Sequence, residues 1–327
     1  MKPELPCLIE FRLPIRKLDT RCQRRTNKFV FLCYSHEPPI RPSSSGAVHQ
    51  SRLLVIRWNR TSDSFYFGQW FKGRIYDHRC DLSPDGERLL YFAANYKPPH
   101  FSWTGISRPP FLTALALWPK GDCWGGGGEF VSKHRVRLNH RSGEMKLAES
   151  FTLPKAMTVE PFGKHSGWGE DSPIHEALLS RNGWHLTNEG KAVEHDFSAP
   201  LWYSFSPPQV WSRPNPVLPA LVLHSSLLGI RMREGPWRVL SHAVTQRDRT
   251  GVDIGKSDWA DWDRNGDLLY GLNGRLFRRK LDNKALQPER CVLDTSKLRF
   301  RELASTEEAR TWHQPIDLAP DVEQSGA

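Results

Sequence analysis

Cysteine is scarce and scattered: six residues in 327 (Cys7, Cys22, Cys33, Cys80, Cys123, Cys291), with no C-x-x-C pair and no Cys/His grouping at zinc spacing. That argues against a disulfide framework and against a structural zinc fold. Long apolar runs are missing too. No stretch approaches the ~20 residues of a membrane-spanning helix, and Glu10, Arg12, Arg16 and Lys17 interrupt the only N-terminal candidate for a leader sequence. The expectation is a chain without a membrane span, in a reducing cytoplasm. Motifs that would fix a reaction are absent as well. Gly125–Gly128 is followed by Glu129-Phe130-Val131 rather than by the Gly-Lys-Ser/Thr that opens a phosphate-binding helix, so four glycines suggest a bend where backbones approach closely. His175-Glu176 begins like a helical zinc motif, but the position four residues after the histidine is Leu179. Ser166, in Gly163–Gly167, lacks the one-residue spacing to each glycine of a nucleophile elbow.

What the chain does have is aromatic residues and turn formers: 13 Trp, 24 Gly and 25 Pro. This composition suits many short strands joined by turns better than a few long helices, and the expected class is all-β. Charge is uneven. Of the formal +10, a surplus of eight falls in residues 1–60, where twelve Lys or Arg face four acids. Such a segment attracts phosphates through a long-range field, which makes residues 1–60 a candidate contact for nucleic acid; the plainer reading is a solvated arm. Pro38-Pro39 and Ser43–Gly46 read as linker. Residues 1–50 are therefore taken as a basic N-terminal extension whose order the sequence leaves open, residues 51–300 as the main domain, and residues 301–327 as a short helix and a frayed tail.

The main domain is organised around Cys80–Phe92. Ser83-Pro84-Asp85-Gly86 is a turn with a mechanism: Pro84 presets its φ, Asp85 can bond nearby backbone, and Gly86 supplies a positive φ. Leu89–Phe92 then reads as a buried strand. Asp261–Tyr270 repeats the scheme, again with an Asp five residues before the glycine, Gly266. Weaker echoes centre on Gly121, Gly183 and Gly235, so Ala177–Leu186 and Leu228–Leu240 are read as further hairpins, with another at Asn273-Gly274. From Gly86 to Gly266 the five turn glycines average 45 residues apart, against about 40–45 for a propeller blade. Ser305 and Glu308 have capping-box spacing, so Thr306–Trp312 is expected to be a short helix.

Asp81-Leu82-Ser83-Pro84-Asp85-Gly86-Glu87-Arg88-Leu89-Leu90-Tyr91 resembles the repeat of WD40-like β-propellers of the TolB type, and Asp261–Tyr270 resembles a divergent copy. The resemblance implies an irregular ring of about five or six small sheets, often an interaction platform. In such a ring the aspartates, Ser83, Pro84, Asp85, Gly86, Asn265 and Gly266 serve the turns.

Four functional expectations follow. The leading one is a non-enzymatic module that holds a protein partner on rim loops at His100–Pro110, Leu153–Pro173 and Ser204–Pro219. Trp58, Trp70, Trp211 and Trp237, each beside a basic residue, are candidate stacking surfaces. Asp261, Asp263, Asn265 and Asp267 match the first half of a calcium loop, although the twelfth position is Leu272 rather than Glu; turn chemistry is the competing account. An enzymatic alternative is a hydrolase with its site in a central channel, using Asp261 or His175.

Overall fold

The run Leu89–Phe92 offers no polar side chain to water, so as a strand it requires cover on both faces. That requirement shapes the unit it belongs to. The computed structural model describes residues 18–20, 28–35, 52–196, 198–231, 236–246, 249–296 and 298–313, and the chain separates into two compact units. One unit is drawn from Leu18–Tyr34, Arg52–Gly183 and the chain from Val292 on; the other includes Trp184–Cys291. Most of the N-terminal extension lies outside the described residues, and so does the question of its order.

In the first unit, β1 (Leu18–Thr20), β2 (Lys28–Ser35), β3 (Arg52–Asn59) and β4 (Ser64–Lys72) form a sheet in chain order. A second sheet follows: β5 (Arg74–Ile75) and β6 (Asp81–Leu82) both pair with β7 (Leu89–Ala94), which continues to β8 (Ser102–Ser107) and β9 (Ala114–Pro119). The third has β10 (Gly128–Ser132), β11 (Arg135–Leu138) and, parallel to β11, β12 (Thr158–Pro161). All six residues of β7 are buried, and alternate side chains enter different clusters. Leu89, Tyr91 and Ala93 pack with Leu53 and Val55 of β3, whereas Leu90 packs with Phe130 of β10 and with Val136 and Leu138 of β11. Phe92 and Ala94 meet Tyr76. The middle sheet is thus covered by the sheets before and after it in sequence. Each large apolar side chain fully buried this way contributes about 1.5–3 kcal/mol.

The single α-helix among the described residues, α1 (Ser172–Arg181), closes the first unit's main segment. Here the hairpin expected at Ala177–Leu186 is corrected. Pro173 suits a first helical turn, Ile174, His175 and Leu178 bury one face, and Gly183 takes φ +83 just past the end. A pair such as Leu178-Leu179 is compatible with either period, and only the packing of that face decides between them.

The second unit begins with β13 (His185–Asn188), β14 (Ala192–Glu194), β15 (Leu201–Pro214), β16 (Leu221–Arg231), β17 (Arg238–Gln246) and β18 (Arg249–Lys256). They form an antiparallel sheet ordered β13-β15-β16-β17-β18, with β14 also on β15. Then β19 (Trp259–Trp262), β20 (Leu268–Leu272) and β21 (Arg275–Arg279) make a meander, with a small β22 (Leu281–Asp282) and β23 (Ala285–Leu286) hairpin. Through β24 (Arg290–Asp294), at the edge of that meander, the chain leaves the unit. The turn expected at Gly235 lies outside the described residues. Its flanking strands, β16 and β17, do pair antiparallel.

Several expected loops are partly strand. His100–Pro110 contains β8, Leu153–Pro173 contains β12, and most of Ser204–Pro219 is β15. The prolines Pro207 and Pro208 misled the last reading. They sit at a register break between Ser204 and Gln209, where an antiparallel ladder tolerates residues without an N–H. The helix expected at Thr306–Trp312 is a three-residue 3-10 turn, Glu308–Arg310, whose N-cap position is Glu307 with no side-chain capping bond; Thr306 Oγ1 accepts the Ala309 N–H at 3.3 Å.

Candidate functional site

The two hairpins that anchor the sequence reading are geometrically alike. Ser83 N–H donates to Arg88 O at 2.8 Å and Gly86 N–H to Ser83 O at 2.8 Å; Asp263 N–H donates to Asp267 O at 2.8 Å and Gly266 N–H to Asp263 O at 3.1 Å. Gly86 and Gly266 take φ +73 and +87, which only glycine adopts without strain. In the first, Asp85 accepts from Ser83 Oγ at 2.6 Å, and in the second, one residue shorter, Asn265 Oδ1 accepts from the Asp267 N–H at 3.2 Å. Each hairpin is preceded by a buried aspartate whose Oδ1 accepts the next residue's N–H: Leu82 on Asp81 at 2.8 Å, and Trp262 on Asp261 at 2.7 Å.

Arginines meet these carboxylates. Arg181 pairs with Asp81, Arg213 with Asp261, and Arg278 Nη1 lies 2.9 Å from Asp263 and 2.8 Å from Asp267. Asn265 Nδ2 donates to Asp267 at 3.0 Å. Of the candidate calcium ligands, Asp263, Asn265 and Asp267 are brought together around the Arg278 guanidinium, while Asp261 is paired with Arg213. Among the described residues no three His, Cys, Asp or Glu side chains converge as metal ligands.

The four candidate tryptophans go to different places. Trp58 is fully buried and stacks on Phe65 at 5.7 Å, so it is core. Trp70 is half-buried, edge-on to Phe300 at 6.0 Å. Trp211 stands in β15 opposite Ser225 and Leu186, and Trp237 meets Trp202 edge-on at 6.4 Å. His175, on α1, is buried with its ring 4.9 Å from that of His78.

Sequence reasoning did not single out the cluster that the first unit's loops build around Arg79. This arginine ends a short 3-10 turn, Asp77–Arg79, and is 1% exposed. Its Nε donates to Asp171 at 2.7 Å, and Nη1 donates to the carbonyls of Cys123, at 2.8 Å, and Gly125. Tyr76 and Phe92 lie against the guanidinium at 4.5 and 5.2 Å. Burial pushes the Tyr76 hydroxyl pKa up, so that hydroxyl stays protonated beside Tyr96 Oη at 3.3 Å. The glycine run does what its composition suggests. Gly125, Gly126 and Gly127 take φ +66, +83 and +74, and a Cβ on Gly127 would fall 2.2 Å from Arg79 O. Further bonds tie the loops together: Gly125 N–H to Gly169 O at 2.9 Å, and Gly167 N–H to Asn139 Oδ1 at 2.7 Å.

On these pinned loops Trp168, at 68%, and Trp124, at 59%, face solvent, as do Tyr96 at 42% and Phe101 at 36% on the turn between β7 and β8. Tyr96 and Phe101 meet edge-on at 5.4 Å, and the Trp124 backbone is fixed by its N–H bond to Asp122 at 2.8 Å. Phe101 and Trp168 fall within loops the sequence had marked; Trp124 was hidden in what read as a bend. No protein-family model and no curated protein matches the chain.

Proposed function

We propose that the protein is a propeller-like, non-enzymatic interaction module that holds a protein partner on the aromatic loops of its first unit. The observation that carries the reading is the exposure of Trp124 and Trp168 on backbone held by the buried Arg79–Asp171 pair, with Tyr96 and Phe101 exposed on a turn that Tyr96 Oη links to Tyr76. Large aromatic rings dominate binding energy at protein interfaces, and rings already held in place lose little freedom on docking. The matched hairpins at Asp81 and Asp261, and the way β7 is packed between preceding and following sheets, support a repeat of blade-like units.

The test is quantitative affinity purification of the full chain against a Trp124→Ser/Trp168→Ser variant with unchanged melting temperature. The reading expects a partner that is enriched by the native chain and lost with the variant. An identical set of co-purifying proteins would defeat it.

A further inference from the structure

A second feature of the first unit is independent of those loops. The outer face of the β1–β4 sheet is crossed by residues 298–303, tied down where Gln69 Nε2 donates to Leu303 O at 3.2 Å. Between them lies a pocket of about 120 Å³ lined by Leu54, Phe67, Gly68, Trp70, Arg299, Arg301 and Leu303. Arg299 is oriented by Nη1 bonds to Leu298 O at 3.1 Å and Ser296 O at 3.4 Å, and both pocket arginines are exposed. Alongside, Phe300 carries the Arg52 guanidinium at 4.1 Å and the Lys72 ammonium at 5.7 Å from its ring centre. Glu302 is the acid in the crossing segment.

We infer that this pocket takes a backbone phosphate of single-stranded nucleic acid. A volume of about 120 Å³ has room for a phosphate group. The rest of the ligand then lies outside, over Phe300, Arg52 and Lys72, which suits a polymer bearing successive phosphates. Trp70, in the pocket wall, offers ring surface to a flanking base, and base stacking on aromatic side chains is sequence-tolerant. Two guanidinium groups at one mouth suit the paired oxygens of a phosphate. The surplus of eight positive charges in residues 1–60 adds long-range attraction for the same polyanion.

The experiment is fluorescence anisotropy of the full chain with a labelled oligothymidylate of about a dozen nucleotides, across a salt series. Arg299→Ala/Arg301→Ala is compared with the native protein, with melting temperatures as a check on folding. Lys72→Ala, at an exposed strand end, is the second variant should the first fail to fold. Binding at low salt is expected to weaken about tenfold or more in the double variant, with the slope of log K against log salt falling by about 0.7 for the one phosphate the two arginines hold. For Lys72→Ala the expected fall in slope is about 0.7. Binding unaltered by the substitutions would overturn the inference by leaving any affinity to residues outside the pocket. Competition by polyglutamate or by inorganic phosphate as effective as that by unlabelled oligonucleotide would overturn it too.

Discussion

Arg181 grips Asp81 with a two-pronged ion pair, Nη1 to Oδ2 and Nη2 to Oδ1, both at 2.8 Å across 100 residues of sequence. Asp81 is wholly buried and also accepts the Leu82 and Phe130 N–H groups, so its charge is compensated by charge and by backbone together. The pair ties the end of α1 to the turn that starts β7. In the second unit the buried Asp261 likewise accepts the next residue's N–H, from Trp262, and pairs with Arg213.

Breaking such a pair from one side strands a charge. Arg181→Ala should destabilise the protein by about 3–5 kcal/mol, because Asp81 keeps its burial and loses its partner. Asp81→Asn/Arg181→Ala should cost less than the sum of Asp81→Asn and Arg181→Ala made singly. Denaturant unfolding of the three variants measures this, and strict additivity would show that the pair is not coupled.

The glycine run gives a graded prediction. Gly121→Ala meets nothing within 4 Å and adds only the strain of a non-glycine residue at φ +79, about 1–2 kcal/mol. Gly127→Ala combines φ +74 with a Cβ driven to 2.2 Å from Arg79 O, so its melting temperature should fall much further, to the point of failed expression. Equal losses in the two variants would mean that the close approach carries no weight.

Acid sensitivity should come in part from His140. The ring is fully buried, with Nε2 2.7 Å from Thr104 Oγ1 and Nδ1 3.0 Å from Glu144 O, and burial holds its pKa below the usual 6.5. The unfolded chain therefore binds the proton more readily. The fold is at full strength above about pH 6.5, loses stability as pH falls below that value, and stops losing it below the depressed pKa. His140→Gln should flatten the wild-type drop in melting temperature between pH 7.5 and 5.5; an unchanged drop would assign the effect to other groups.

For the Asp261–Asp267 loop, calcium at millimolar concentration should leave the melting temperature unchanged, since Arg278 already bridges Asp263 and Asp267. Arg278→Met should destabilise strongly by leaving two buried carboxylates together, and calcium should then recover part of the loss. A thermal shift in the native protein would instead establish a cation site.

The sequence by itself determined the class and the turns. Ser83–Gly86, Arg264–Gly266 and Asn273-Gly274 bend as their residue types require, because positive φ and side-chain-to-backbone bonds are local properties. The buried run at Leu89–Phe92, which the structure carries on to Ala94, was equally legible, since a strand with no polar side has to be covered twice.

Tertiary structure decided the rest. Helix α1, the strand through Pro207-Pro208 and the core position of Trp58 depended on which face found a partner, and a short apolar or proline-bearing segment carries no such information. Arg79 with Asp171, and Arg181 with Asp81, lie 92 and 100 residues apart. Their pairing arises only when folding removes water and makes each charge the other's best available solvent; no local pattern marks it. For the same reason Trp124 and Trp168 read like any other aromatic residue until their loops were bound together beneath them.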